Sequence, residues 1–193
     1  MKPVGENLSG QKLSAQQAHK VLHQAEVIIP AEEVQAVLLR MAQEINTRLA
    51  ETYPVVLSVM GGAVVFTGQL LPLLDFPLDF DYLHVSRYGS NQQGGELKWK
   101  VEPGENIAGR VVLVLDDILD EGTTMAEIKR RVLELGATGF YSAVFADKLN
   151  GKVKPIRADF VGVTLPDRFV FGFGMDMQGA WRNLPAIYAT REI

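Results

Sequence analysis

Apolar and polar positions along the chain follow two periods. Val55-Val56-Leu57-Ser58-Val59-Met60 and Val111-Val112-Leu113-Val114-Leu115 are short, almost unbroken apolar runs rich in β-branched residues. Runs of that kind mark strands buried on both faces of a parallel sheet. Leu78–Val85, Leu97–Val101, Phe140–Ala146 and Ala158–Leu165 predict further extended segments, and Glu26–Pro30 a short one. Elsewhere the period becomes helical. Val34, Val37, Leu38, Met41, Ile45 and Leu49 form one stripe within Glu32–Thr52, and Ala63–Leu71 is an apolar helix stopped near Pro72. Met125, Ile128, Val132 and Leu135 share a face that Gly136 ends, while Ser14-Ala15-Gln16-Gln17 reads as a capping box opening a helix to about Ala25. The alternation predicts an α/β fold with a central, mainly parallel sheet flanked by helices.

Composition narrows the function more than the fold. The 193 residues are 47% hydrophobic and 22% charged, which is enough for one well-buried domain. A formal charge of −4 argues against a dedicated nucleic-acid binder, and the absence of cysteine removes disulfides and thiolate metal sites. Residues 1–13 are polar, aperiodic and unlike a signal peptide, so a mobile terminus is expected. No apolar run is long enough to span a membrane, which makes a cytoplasmic protein the default expectation. Residues 86–95, from Ser86 to Gly95, carry no hydrophobic anchor except Tyr88 and predict a flexible hairpin tip.

The chemistry concentrates after the second apolar run. Asp116 and Asp117 stand where that strand is expected to leave the sheet; Asp120 follows two apolar residues later, and Glu121-Gly122-Thr123-Thr124 leads into a helix. Open α/β sheets bind ligands where a strand ends and a helix begins. Gly122 supplies backbone freedom, and Thr123 and Thr124 put hydroxyls beside first-turn N–H groups, an arrangement suited to a phosphate dianion. Ionised carboxylates only accept hydrogen bonds, and a ribose offers two adjacent hydroxyl donors. The loop therefore reads as a pentose-phosphate cradle, against the plainer alternative of an acidic turn capping a helix. Gly61-Gly62 repeats the strand–turn–helix arrangement, so both loops are expected on one sheet edge, although a tight turn without ligand would look the same. Lys148, after the Phe140–Ala146 strand, is by itself an ordinary solvated cation. His19 and His23 are four apart but lack the intervening Glu of a zinc-hydrolase helix and carry no assigned role, and Phe171 and Phe173 read as core.

Two acids, two apolar residues, Asp, a variable residue, Gly and a closing Thr resemble the phosphoribosyl-diphosphate signature of the type I phosphoribosyltransferases. Further matches from about Val55 to Arg182 narrow the resemblance to hypoxanthine-guanine phosphoribosyltransferases, particularly a bacterial branch. The resemblance implies one phosphoribosyltransferase domain over 1–193, with a small hood built from the N- and C-terminal segments. It implies transfer of the phosphoribosyl group from phosphoribosyl diphosphate to N9 of hypoxanthine or guanine, with release of pyrophosphate. Asp120 takes the place of the catalytic acid/base. Asp116, Asp117, Glu121, Gly122, Thr123 and Thr124 take the phosphoribosyl contacts, and Met60, Gly61, Gly62 and Arg182 those of pyrophosphate. Many relatives have Thr at Glu121, whose side chain must then point away from the phosphate, and Lys at Met60, whose contact is then lost. The Gly-Gly turn often carries a non-proline cis bond in the family, here at Met60–Gly61 or the preceding pair. Lys148, Phe169, Val170 and Asp176 fall on purine contacts: Lys148 at O6, Phe169 stacking, Val170 through its backbone. Asp116, Asp117 and Asp176 match ligands of Mg²⁺. Arg87 and Tyr88 fall in a mobile lid that shields the reacting centre from water. Family members are commonly homodimers or homotetramers. The alternatives are a phosphoribosyl-diphosphate-sensing regulator on the same fold, or transfer to another base such as xanthine or adenine.

Overall fold

The computed structural model describes residues 12–87 and 97–191. Helix α1, Ala15–Gln24, opens on the expected capping box: Ser14 Oγ accepts the Gln17 N–H at 3.3 Å, and Gln17 Oε1 accepts the Ser14 N–H at 2.9 Å. Strand β1, Glu26–Ile29, leads into α2, Ala31–Leu49, where Val34, Leu38, Met41, Ile45 and Leu49 are fully buried. Truncating one of the larger of these, such as Leu38→Ala, is expected to cost about 2–5 kcal/mol. Then follow β2, Val55–Val59, and α3, Val64–Leu70, which tightens into a 3₁₀ turn over Leu71–Leu73 at Pro72. Strands β3, Asp79–Arg87, and β4, Leu97–Val101, precede β5, Val111–Leu119, and α4, Thr123–Glu134. Helix α4 ends in a Schellman motif at Gly136, φ +90°, with the Ala137 N–H on Val132 O at 3.3 Å and the Gly136 N–H on Leu133 O at 3.0 Å. The chain closes with β6, Gly139–Leu149, β7, Phe160–Pro166, β8, Val170–Phe171, and β9, Ile187–Ala189.

The main sheet runs β4-β3-β2-β5-β6-β7, parallel except where β4 pairs with β3. A second, antiparallel sheet, β1-β9-β8, joins one N-terminal strand to two C-terminal ones. Strand β5 is apolar at every early position because both its faces are covered. Leu113 and Leu115 pack with α2 and α3, and Val112 and Val114 with α4. The first of these cores continues into the small sheet through Val170, Phe173, Ile187 and Ala189. As expected, Phe171 and Phe173 are fully buried, with the Phe173 ring 4.4 Å from that of Phe145.

Three expected boundaries shift. Strand β5 does not leave the sheet at Asp116 but stays paired with β6 to the Leu119↔Asp147 register, and β6 runs on through Asp147 and Lys148. At the C-terminal edge of a parallel sheet the ladder continues through polar residues while their side chains face the crevice. Ser86 and Arg87 belong to β3, paired with Lys98 and Leu97, rather than to a loop. Tyr88, the rest of the expected lid and the terminus before residue 12 lie outside the described residues. Among the described residues no helix is long and apolar enough to cross a membrane.

From β2 the chain winds outward to β3 and β4, then returns to the other side of β2 as β5 and proceeds to β6 and β7. Strand order thus reverses between β2 and β5. The crevice beyond their C-terminal ends is the place where such sheets bind ligands.

Candidate active site

Both expected loops open into that crevice. After β5, Gly122 caps α4 with φ +78°, and Thr123 and Thr124 begin the helix at the positive end of its dipole. A Cβ on Gly122 would meet Lys154 and Ile156 only at van der Waals distance, so the left-handed backbone is what calls for glycine there. The Glu121 carboxylate pairs with Lys152 at 2.9 Å. After β2, the Met60–Gly61 peptide is cis, and the Met60 N–H donates to Leu83 O of β3 at 2.8 Å. The two glycines differ: Gly61 faces open space, whereas Gly62 lies flat against the Asp117 carboxylate.

Asp117 sits beneath this turn, and Asp116 precedes it on β5. The Asp117 N–H donates to Asp116 Oδ1 at 2.9 Å, and the Ile118 N–H to Asp117 Oδ1 at 2.9 Å. Asp117 is 8% exposed. Burial first, then the neighbouring Asp117 charge, pushes the Asp116 carboxyl well above the ordinary carboxylate range. Burial also raises Asp117, against the opposing pull of the Asp116 hydrogen bond and the Arg182 guanidinium. A diol or a cation placed on this pair would offset the cost of ionising both acids. Among the described residues no three-ligand His, Cys or carboxylate cluster forms a closed metal cage. The arrangement fits a hard cation that takes one or two carboxylates here and its other ligands from phosphate oxygens and water, as Mg²⁺ does.

From the other side, the loop between β8 and β9 reaches into the crevice. Gly174, φ +101°, packs so closely on the Gly62 carbonyl that a Cβ would come within 2.2 Å of it. Arg182 donates from Nη1 to Gly174 O at 2.6 Å and pairs through Nη2 with Asp176, whose other oxygen accepts the Gly179 N–H at 2.6 Å.

A cavity of about 230 Å³ collects Asp117 and Asp120, Lys148 at the end of β6, Phe169 and Val170 at the start of β8, and Asp176 and Arg182. Lys148, 15% exposed, holds its ammonium 3.3 Å from Asp167 and 3.8 Å from Asp120. The Phe169 side chain is 50% exposed. The Thr190 N–H bonds to Phe169 O at 3.0 Å, so by antiparallel alternation the next pair, Val170↔Ala189, is a non-hydrogen-bonded one. The Val170 N–H and C=O therefore point away from β9, at the open edge of the small sheet. Larger depressions, of about 650 Å³ beside Arg48 and Tyr141 and about 580 Å³ beside Trp99 and Arg131, gather none of the predicted residues except Thr123. The backbone of Arg87 continues β3 about 13 Å beyond Leu83 by strand rise.

A family model of the phosphoribosyl transferase domain matches residues 29–178. The hypoxanthine-guanine phosphoribosyltransferase of Bacillus subtilis is 33% identical over 162 residues, 83% of this chain and 90% of that protein. The chain belongs to the hypoxanthine-guanine phosphoribosyltransferase family. The hypoxanthine-guanine phosphoribosyltransferase of Lactococcus lactis is 31% identical over 166 residues, 83% of this chain and 88% of that one. The crystal structure of a hypoxanthine phosphoribosyltransferase from Staphylococcus aureus superposes with a TM-score of 0.82 at 26% identity, covering 88% of this chain and 94% of that one. The α/β architecture and the phosphoribosyltransferase class read from the sequence agree with these findings.

Several residues of this phosphoribosyltransferase site carried no sequence signal. Ile118 and Met175 line the cavity beside the charged groups. Gly174 stands in a Gly-Phe-Gly stretch, which marks a strained bend but not its partner. Helix α1 precedes the segment that the family model matches, and docks where Trp181, φ +74°, donates from Nε1 to Ala18 O at 2.8 Å beneath the His19 ring. His19 thus makes a packing contact.

Proposed function

We propose that this phosphoribosyltransferase acts in purine salvage, transferring the 5-phosphoribosyl group of phosphoribosyl diphosphate to N9 of hypoxanthine or guanine to give IMP or GMP and pyrophosphate. The observation that carries the reading is the cavity in which Lys148, Phe169 and the Val170 backbone edge face Asp120 beside Asp117. An ammonium only donates hydrogen bonds, so Lys148 suits a 6-oxo group and disfavours a 6-amino group. Phe169 stacks on the ring, and the Val170 edge meets its polar rim. The ribose diol lies on Asp116 and Asp117, and the 5′-phosphate on the Gly122–Thr124 backbone at the N-terminus of α4. Pyrophosphate lies on the amides of Gly61 and Gly62 with Arg182.

In the transfer, the bond from C1′ to the pyrophosphate oxygen breaks with its electron pair leaving on pyrophosphate, and the N9 lone pair forms the new bond. The imidazole ring of the base then carries excess positive charge, and Asp120 accepts its N7 proton. Magnesium taken by one or two of Asp116, Asp117 and Asp176 at a time, with its other ligands from phosphate oxygens and water, would neutralise charge on the diphosphate. The same reading takes 1–193 as a single domain with the β1-β9-β8 sheet as a hood over the base, and gives the lid role to the segment with Tyr88, outside the described residues. It includes a cytoplasmic protein and a homodimer or homotetramer, for which the half-exposed Phe80 and Tyr82 on the open half of β3 offer apolar surface. A steady-state assay of hypoxanthine, guanine, xanthine and adenine with phosphoribosyl diphosphate and magnesium tests the reaction. Turnover of the first two with little of adenine is expected; tight phosphoribosyl-diphosphate binding without turnover of any base would favour a sensor instead.

A further inference from the structure

The cavity exists because β5 and β6 part at their ends, and parting leaves backbone carbonyls without a ladder. Pairing between these strands ends at Leu119↔Asp147. At that point the following loop takes over: the Asn150 N–H donates to Lys148 O at 3.1 Å, and one side chain bridges the two strands. Lys154 Nζ donates to Leu119 O at 2.6 Å, to Lys148 O at 2.7 Å and to Asp147 Oδ1 at 2.5 Å. All three ammonium donors are used, and the side chain is 12% exposed. An exposed lysine pair contributes little to stability. This one ties the end of the strand that delivers Asp120 to the residue that carries the Lys148 ammonium.

A second side chain of the same loop acts on Asp120 itself. Asn150 Nδ2 donates to Asp120 O at 3.0 Å and to Asp120 Oδ1 at 3.1 Å. The opposite end of the amide is also engaged, since Asn150 Oδ1 accepts the Lys152 N–H at 3.1 Å. Both ends of the amide are therefore committed, and the carboxylate of Asp120 is aimed by a group that is itself held.

We propose that Asn150 and Lys154 are positioning residues: Lys154 staples the diverging ends of β5 and β6, Asn150 orients the Asp120 carboxylate, and together they set the spacing of Asp120 and Lys148 across the base. The proposal rests on the reading of those two groups as purine contacts. A displacement of about 1 Å at such a site can cost roughly 10²-fold in rate.

Two full-length variants test it. Asn150→Asp keeps an oxygen for the Lys152 N–H but replaces the donor to Asp120 with a second carboxylate. It is expected to lower kcat about 10- to 100-fold with the KM for phosphoribosyl diphosphate within about twofold. A merely structural turn would tolerate the change, so wild-type kcat in this variant overturns the role of Asn150. Lys154→Met removes the three donors at similar length. It is expected to raise the KM for hypoxanthine about tenfold, again with little change for phosphoribosyl diphosphate, and to speed amide hydrogen exchange in peptides spanning 119–122 and 147–150. Unchanged exchange there, or an unchanged purine KM, overturns the staple. Wild-type protein that turns over no 6-oxopurine would instead overturn the proposed function, while the exchange measurement still decides the staple.

Discussion

Gly62 and Asp117 meet with no room for a side chain between them: a Cβ on Gly62 would lie 2.2 Å from Asp117 Oδ2. The contact joins the two loops at the point where strand order reverses, and its far side is closed by Gly174 on the Gly62 carbonyl. The position of the turn and that of the buried acid are therefore a single structural variable.

Gly62→Ala should displace the carboxylate rather than be absorbed, because Asp117 is buried and Gly174 blocks retreat of the turn. Overpacking of this kind costs about 1–3 kcal/mol, and a chain of this size loses roughly 2–4 °C of Tm per kcal/mol. The KM for phosphoribosyl diphosphate should rise more than about tenfold. Gly61→Ala, whose Cβ meets nothing within 4 Å, should do much less. Equal effects of the two substitutions would show that the contact does not govern binding.

Asp116 yields a prediction about pH. Its carboxyl is raised in the folded protein by burial and by Asp117, whereas in the unfolded chain it titrates near the ordinary value of about 3.9. The folded state therefore holds its proton to higher pH. Between the unfolded and folded values the native state binds more protons than the unfolded one, so stability falls as pH rises through that window, and above it the full cost of ionisation is carried. In metal-free protein, Asp116→Asn should raise Tm at pH 7, and the difference should shrink as pH falls toward 4. Magnesium and phosphoribosyl diphosphate together should raise the Tm of the wild type and not of the variant. A variant less stable than wild type at pH 7 would show that Asp116 is stabilised in place rather than strained.

Lys148 is expected to decide the base. A hydrogen bond to a charged group contributes about 1.5–3 kcal/mol, so Lys148→Ala should lower kcat/KM for hypoxanthine and guanine about 10- to 150-fold. The KM for phosphoribosyl diphosphate should stay within about twofold, since the acids on β5 are untouched. Purine kinetics unchanged in this variant would leave Lys148 as the partner of Asp167 and nothing more.

The parts of this site that the sequence displays are the ones built locally. Strand β5, Gly122 and α4 are adjacent in the chain, and each leaves its own signature: a two-faced apolar run, a glycine at positive φ, a helical stripe. Lys148 and Phe169 stand out by resemblance alone, since nothing nearby distinguishes a lysine facing a cavity from one facing water. The apolar pattern ends β5 and β6 too early because acidic and basic residues resemble a strand exit, although polar side chains at the crevice edge leave the backbone ladder intact. Gly174, Asn150 and Lys154 act through contacts with segments far away in sequence, which no periodicity encodes. For the same reason Gly61 and Gly62 look alike as turn residues until Asp117 is seen beside one of them.

Asp120 is the group expected to move a proton. It leaves β5 beyond the last paired residue, its carboxylate is 51% exposed at the cavity mouth, and Asn150 and Lys148 flank it. Asp116 and Asp117 are poorer candidates: Asp117 is buried beneath the Gly-Gly turn, Asp116 is the half-buried residue before it, and in the proposed reaction the ribose diol and a cation have prior claim on both. As N9 bonds to C1′, positive charge develops on ribose and ring together, and a carboxylate near N7 stabilises that charge by accepting the proton. General-base assistance of this kind is worth roughly 10²–10⁴ in rate. Asp120→Asn keeps the size and the acceptor for Asn150 Nδ2 while removing the basicity. It should lower kcat within that range and leave the KM for phosphoribosyl diphosphate nearly unchanged, because the groups that hold the ribose and phosphates are still in place. A loss of phosphoribosyl-diphosphate binding with turnover preserved at saturation would make Asp120 a structural acid of the loop, and the proton would have to go elsewhere.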